Sequence, residues 1–268
     1  MDDSNLLKRH AVRVLGNPSA PRTMVFVHGF GTDQSAWKPV SRAFFPDYRV
    51  VLYDHAGAGS SSEEAFDPDR YAGLEAYAHD LLDVCTALDL RDAVLVGHSM
   101  GGMVAVLAAL KRPELFSRLV LIGASARYLD DDDYRGGFTQ ADLDGLYAAM
   151  TSSYQAWVSG FAPLVMGGEV NAEPGADFAK TLGAIRPDVA QAVARSIFQS
   201  DHRKDVVRLH LPTLLLQTKR DVAVPREAAE FLHRSIAGST LVEVNTAGHL
   251  PHLTAPRGVI AAMRSWLG

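Results

Sequence analysis

The stretch Ala93-Val94-Leu95-Val96-Gly97-His98-Ser99-Met100-Gly101-Gly102 decides the fold. Its first four residues are an apolar, largely β-branched run, the composition of a strand buried on both faces. Met103 to Leu110 follows at helical spacing. Between the two lies Gly97-His98-Ser99-Met100-Gly101, a G-x-S-x-G pattern, so the serine is expected on a tight strand-to-helix turn. Such a turn lifts the hydroxyl above the sheet edge and aims the next N–H groups at whatever the hydroxyl attacks. The flanking glycines are expected to open φ/ψ values closed to side chains and to leave room for neighbouring elements. The plainer alternative is a Gly-rich strand–helix turn with a capping serine.

Working outward, the same rhythm recurs. His10 to Leu15 alternates like an edge strand, and Thr23 to His28 is a continuous apolar strand running into His28-Gly29-Phe30-Gly31. A short helix is expected around Ser35 to Phe44, a strand over Tyr48 to Tyr53, and a helix over Asp69 to Leu88. Leu119 to Ile122, Thr213 to Thr218 and Thr240 to Val244 complete the strands, and helices are expected over Arg226 to Ile236 and Arg257 to Leu267. Strands alternating with helices predict an α/β protein with a mostly parallel, doubly wound sheet. Ligands of such sheets bind outside the carboxyl ends of the strands. The loops at 28–31, 54–60 and 97–101 fall there. The rhythm breaks between Ser125 and Ser200, where no buried strand is expected. Four helices fit instead, over 139–151, 154–166, 174–185 and 187–199, punctuated by Asn171, Pro174 and Pro187. The chain therefore divides into a core of residues 1–124 and 201–268 and an inserted helical cap of residues 125–200.

Composition narrows the function. A chain of 268 residues with 47% hydrophobic content can build one large core with an insertion. Net charge is −5 and no Lys/Arg block occurs, so neither nucleic acid nor an anionic membrane is an expected partner. The N-terminal Met-Asp-Asp-Ser-Asn has no apolar signal region, and no 18-residue apolar run occurs, so a cytoplasmic location is expected. The single cysteine, Cys85, reads as a buried structural thiol. Asp130 to Asp133 lacks the alternating ligands and glycine of a calcium loop and reads as solvated. No metal site and no cofactor are expected.

The chemistry follows from chain order. A serine hydroxyl needs a neutral imidazole in reach, and the imidazole needs a carboxylate to hold its tautomer. Asp221 directly follows one late strand and His249 the next, giving the order Ser99, Asp221, His249 at one sheet edge. His252 is an alternative base and Asp201 an alternative acid. The His98 side chain should point away from the hydroxyl, and Asp54 breaks the order. A developing oxyanion needs backbone donors, expected from Met100 and from Phe30 in the 28–31 loop.

These residues resemble the α/β-hydrolase fold family. Asp54-His55-Ala56-Gly57-Ala58-Gly59-Ser60, Gly123 to Leu129, Tyr134 to Phe138, Trp157 to Pro163 and Gly248-His249-Leu250-Pro251-His252 resemble, more closely, its RsbQ-like group. That group contains a bacterial stress-response regulator and the plant strigolactone and karrikin receptors. The resemblance covers nearly the whole chain. It implies a four-helix cap over an apolar pocket, with a small hydrophobic ester or lactone hydrolysed slowly or sensed. Phe30, Tyr128, Phe138, Trp157, Phe161 and Phe198 match its pocket-wall positions, Tyr128 adding a hydroxyl to the wall. It also implies, as an alternative role, a signalling regulator whose cap engages a phosphatase-type protein partner. Perhydrolase or haloperoxidase chemistry would use the same residues.

Overall fold

The structure, a computed structural model, describes residues 3–168 and 173–268; Asn171, expected to punctuate the cap, lies outside them. Seven strands form one sheet: β1 (Arg13–Gly16), β2 (Thr23–Val27), β3 (Arg49–Leu52), β4 (Ala93–His98), β5 (Phe116–Ile122), β6 (Thr213–Arg220) and β7 (Thr240–Ala247). Their spatial order is β1-β3-β2-β4-β5-β6-β7. Only the β1–β3 pairing is antiparallel; the other five are parallel.

Strict alternation along the central strands builds two cores. Met24, Phe26, Val94 and Val96 face one side, where they join Trp37, Val259 and Met263. Val25, Val27 and Leu95 face the other, where they join Leu81, Met103 and Val104. Every residue of β2 and β4 is buried, as their near-continuous apolar runs require.

Helices α1 (Asp3–Arg9), α2 (Lys38–Ser41), α3 (Glu75–Ala87) and α4 (Met100–Lys111) belong to the first part of the core. Four helices are then inserted between β5 and β6: α5 (Gln140–Ser152), α6 (Tyr154–Val165), α7 (Glu173–Ala184) and α8 (Pro187–Phe198). They match the expected spans to within a residue at each end. A capping box of Thr139 and Asp142 starts α5, and the Ser153 hydroxyl accepts from Ala156 N–H at the start of α6. Within the cap α6 packs on α7, and α5 on α8. The strand-like segments entering and leaving it are bridged at Arg127 and Asp201. Arg203 adds ion pairs to Asp201 at 2.7 Å and to Asp131 at 2.8 Å. The core resumes with α9 (Arg203–Val206), α10 (Arg226–Ser235), α11 (Pro251–Thr254) and α12 (Pro256–Leu267).

Several elements depart from expectation for local reasons. Residues before His10 form α1, and the edge strand starts only at Arg13; His10 is buried, its Nδ1 donating to Asp54 O at 3.1 Å. The helix expected from Asp69 starts at Glu75. Asp67 Oδ1 accepts from Asp69 N–H at 2.9 Å and Asp67 O from Tyr71 N–H at 2.9 Å, which makes that stretch a turn. The last helix lies where it was expected, and a further short helix, α11, precedes it; the two are separated at Ala255, whose φ of −138° and ψ of 51° lie outside the helical region that a following proline disfavours.

Candidate active site

Ser99 directly follows β4 with φ 54° and ψ −122°, a conformation that side chains rarely adopt. The flanking glycines were expected to supply the unusual backbone. Neither Gly97 nor Gly101 has positive φ; the serine itself carries the strain. The glycines supply the other expected property, room for neighbouring elements. A Cβ on Gly97 would sit 2.4 Å from Gly101 O, and one on Gly101 would sit 2.4 Å from Val27 O. Ser99 N–H donates to Ile122 O at 2.9 Å, which holds the bend against β5.

The loops after β6 and β7 meet the bend. His249 Nε2 lies 2.9 Å from Ser99 Oγ. His249 Nδ1 lies 2.8 and 3.0 Å from the two carboxylate oxygens of Asp221. Asp221 Oδ1 also accepts from the N–H groups of Ala223 at 2.8 Å and Val224 at 3.1 Å, and its side chain is 1% exposed. A carboxylate so placed makes Nδ1 the protonated ring nitrogen, leaving Nε2 to accept from the serine hydroxyl. The two loops are tied to each other: Gly248 N–H donates to Arg220 O at 2.7 Å, and Thr218 Oγ1 to Gly248 O at 2.8 Å.

The competing residues are engaged elsewhere. His98 Nε2 bonds His249 O at 2.8 Å, and its ring lies between those of His249 and His252, with centroids at 4.9 and 4.4 Å. His252 packs against Trp37, with ring centroids 4.6 Å apart and the planes tilted by 31°. Burial holds the pKa of His98 well below its ordinary value, with the neighbouring histidines adding to it. Burial, helped by His249, pulls His252 down to about 3. Neither His98 nor His252 bonds Ser99. Asp201 pairs with Arg127 and Arg203 at the base of the cap. Asp54 accepts from Gln34 N–H and Ser60 N–H, each at 2.8 Å, and so fastens two loops. Among the described residues no cluster of side chains could hold a metal ion. Asp130 instead accepts from Gly136 and Gly137 N–H in a turn. Burial pushes the Cys85 thiol up to about 12, as suits a structural position.

Met100 is the first residue of α4, so its N–H is one that the helix itself leaves without an acceptor. Phe30 sits in the loop after β2. That loop is pinned by Thr32 Oγ1 donating to Gly29 O at 2.9 Å and by Thr181 Oγ1 of the cap donating to Gly31 O at 2.8 Å. Gly29 is required by contact, since a Cβ there would meet His98 Nδ1 at 2.5 Å.

A cavity of about 30 Å³ lies over Ser99 and His249. Phe30, Tyr128, Phe161 and Phe198, all expected in the wall, line it. The other two expected wall residues, Phe138 and Trp157, stand one layer back. Phe138 packs edge-on against Phe198 at 5.3 Å, and Trp157 is stacked between Tyr154 and Phe161. Val165, Phe178, Ile197 and Leu250 take their place. Helical spacing marks Phe178 and Ile197 as inward-facing but cannot separate cap core from cavity wall. Two larger surface clefts, of about 550 and 520 Å³, run between the core loops and α7 and do not reach Ser99. The Tyr128 hydroxyl lies 3.2 Å from Ser99 Oγ, a contact that the sequence did not foretell.

A seven-stranded sheet with a serine on the bend after β4, an aspartate and a histidine on the loops after β6 and β7, and a helical insertion after β5 defines an α/β-hydrolase. The chain belongs to the alpha/beta hydrolase family, which it matches over residues 24–262. It is 45% identical to karrikin insensitive 2 receptor CA of Petunia hybrida, across 95% of this chain and 94% of the receptor. It is 43% identical to strigolactone esterase D14 of Arabidopsis thaliana, across 98% of each. The group expected from the motifs is thus represented by its plant members. A hydrolase from Oleispira antarctica superposes with a TM-score of 0.95 at 28% identity, over 100% of this chain and 97% of that one.

Proposed function

We propose that the protein is a serine hydrolase acting on a small hydrophobic ester or lactone through an acyl-enzyme. The observation that carries this reading is the continuous hydrogen-bonded line from Ser99 Oγ through the His249 ring to Asp221, at 2.9 and 2.8 Å, under an apolar cavity. In this reading His249 Nε2 takes the Ser99 proton as Oγ attacks the carbonyl carbon. Asp221 keeps Nδ1 protonated and stabilises the imidazolium that forms. The N–H groups of Phe30 and Met100 receive the oxyanion, each donor contributing about 2.7–4 kcal/mol at the transition state. His249 then passes the proton to the leaving oxygen. A water molecule, activated by the same imidazole, later releases the acyl group. The cavity over Ser99 is small and lined mostly by apolar side chains, which suits a small hydrophobic ligand. Residues 125–200 act as the cap and the remainder as the catalytic core, in a protein that works in the cytoplasm.

Release of nitrophenol from p-nitrophenyl acetate tests the reading. Turnover should vanish in Ser99→Ala, and a fluorophosphonate should label wild type at Ser99. Undiminished turnover in Ser99→Ala overturns it.

A second reading is supported by the receptor named among the relatives and by a direct bond between the His249 backbone and the cap. Here the same site binds or slowly cleaves its ligand, and the cap then engages a protein partner of the phosphatase-regulator type. Capture of such a regulator by wild type but not by Ser99→Ala supports it, and equal capture by both counts against it.

A further inference from the structure

We propose that Tyr128 is a catalytic residue whose hydroxyl donates to the leaving-group oxygen of the ester as the tetrahedral intermediate collapses. The inference rests on the hydrolase reading above and extends it.

A count of protons fixes the direction of the resting contact. Asp221 holds the proton of His249 on Nδ1, so Nε2 accepts, and the single Ser99 hydrogen goes to Nε2. Ser99 Oγ is then the acceptor in its 3.2 Å contact with Tyr128, and the phenol is the donor. Tyr128 is fully capable of remaining a donor throughout. Burial raises its pKa well above the ordinary value for tyrosine, and the Asp221 carboxylate opposes ionisation further. The phenol is also rigidly placed. Its ring packs edge-on against Phe198 at 5.2 Å, and its backbone oxygen accepts from Phe138 N–H at 3.1 Å. Gly136 passes so close that a Cβ there would lie 2.4 Å from that oxygen.

Once Oγ is bonded to the carbonyl carbon it is a weaker acceptor than an oxygen that carries developing charge, and the phenol turns to that oxygen. Two oxygens then flank Oγ. The carbonyl oxygen turns to Phe30 and Met100 on the side of the β2 loop. The leaving oxygen stays on the side of His249, and Tyr128 comes from the segment after β5, which lies on the β6–β7 side of β4 and opposite the β2 loop. As the carbon–oxygen bond breaks, its electron pair goes to the leaving oxygen and the proton on His249 Nε2 follows. Tyr128 keeps its own proton and shares it as a hydrogen bond while charge builds. The other polar side chains lining the cavity are His98, Ser99 and His249. His98 is committed to the His249 carbonyl, so the phenol is the donor left for this task.

The test is a series of phenyl and alkyl acetates graded in leaving-group acidity, run on wild type, Tyr128→Phe and a protein carrying 3-fluorotyrosine at 128. Fluorophosphonate titration counts competent sites in each. Tyr128→Phe should lose least on p-nitrophenyl acetate, whose leaving group needs little help. It should lose about 10- to 100-fold on phenyl and alkyl acetates, the size of one hydrogen bond to developing charge. Its plot of log rate against leaving-group acidity should therefore be steeper. The fluorotyrosine protein keeps the shape of the wall and strengthens the donor, so its plot should be shallower. Equal losses on every ester, or no loss on any, overturn the role of Tyr128 while leaving the Ser99 reading intact. A wild type that hydrolyses none of the esters overturns both.

Discussion

The backbone N–H of His249 donates to the carbonyl of Val165 at 2.6 Å. Val165 is the last residue of α6, so the proposed general base hangs by its own main chain from the cap. The neighbouring residues make the junction tight. A Cβ on Gly248 would lie 2.7 Å from the Met166 carbonyl carbon, and one on Gly167 would lie 2.9 Å from Gly248 N. Two glycine backbones face each other there, each at positive φ, where side chains are strained as well as crowded. The consequence is mechanical. A shift of α6 along its axis pulls on the imidazole that has to stay within 2.9 Å of Ser99 Oγ.

Gly248→Ala tests this junction. It introduces the clash with Met166 and forces alanine to a φ of 94°. Stability should fall by about 1–3 kcal/mol from the backbone alone. Ester turnover should fall by more than the unfolded fraction explains, because His249 moves with residue 248. Denaturant melts read beside kcat check both. Wild-type kcat in a destabilised Gly248→Ala would mean that the cap contact does not position the histidine.

Stability should also fall on mild acidification, because histidines are buried neutral. Burial lowers the pKa of His28, His55, His98 and His252, the last to about 3. The sign is set by the unfolded chain, whose histidines take up protons below about pH 6.5 while the folded ones do not. Their contribution is fully present above that pH and is lost as pH falls below it, down to the folded pKa. Each group adds a slope of up to about 1.4 kcal/mol per pH unit. Urea midpoints measured from about pH 7.5 to about pH 5, above the range of ordinary carboxylates, should decline steadily. His252→Phe keeps an aromatic face for Trp37 and should flatten the decline by up to one proton. Midpoints level across that range would contradict the neutral burial of these rings.

The strain at Ser99 gives a separate prediction. A residue with a side chain at φ 54° and ψ −122° costs about 1–3 kcal/mol, and glycine relieves most of it. Ser99→Gly and Ser99→Ala should both be inactive. Ser99→Gly should melt above Ser99→Ala, since only the glycine removes the Cβ. Equal melting temperatures would mean that the bend is held without strain.

What was legible in the sequence follows from what each signal measures. Buried parallel strands read as continuous apolar runs, so β2, β4 and β6 were plain, and chain order then delivered Ser99, Asp221 and His249 to one sheet edge. The cap helices were legible because no strand pattern interrupts their helical spacing and Pro174 and Pro187 punctuate it. Contacts made across the chain were not legible. Residue pattern cannot tell that Tyr128 reaches Ser99, that Trp157 stacks on Phe161 behind the cavity, or that Val165 holds His249. Each depends on how the cap sits on the core, and helical periodicity is silent about that. The elbow glycines show the same limit. Their spacing was read as both conformational freedom and room for neighbours; the structure uses only the second, their lack of a Cβ against Val27 and Gly101.

The aromatic wall should set substrate size. Phe198 touches the cavity directly and braces both Tyr128 at 5.2 Å and Phe138 at 5.3 Å. Phe198→Leu removes ring volume from a cavity of about 30 Å³ without placing a polar group in it. The lost contacts should destabilise the fold by about 1–3 kcal/mol, less than truncation to alanine. The space gained admits a longer acyl chain, while acetyl esters lose the surface that orients them. Along a series of p-nitrophenyl esters from acetate to hexanoate, kcat/KM of the variant should therefore peak at a longer chain than that of wild type. An unchanged optimum would place the acyl chain away from Phe198, in the direction of Phe161 and Phe178.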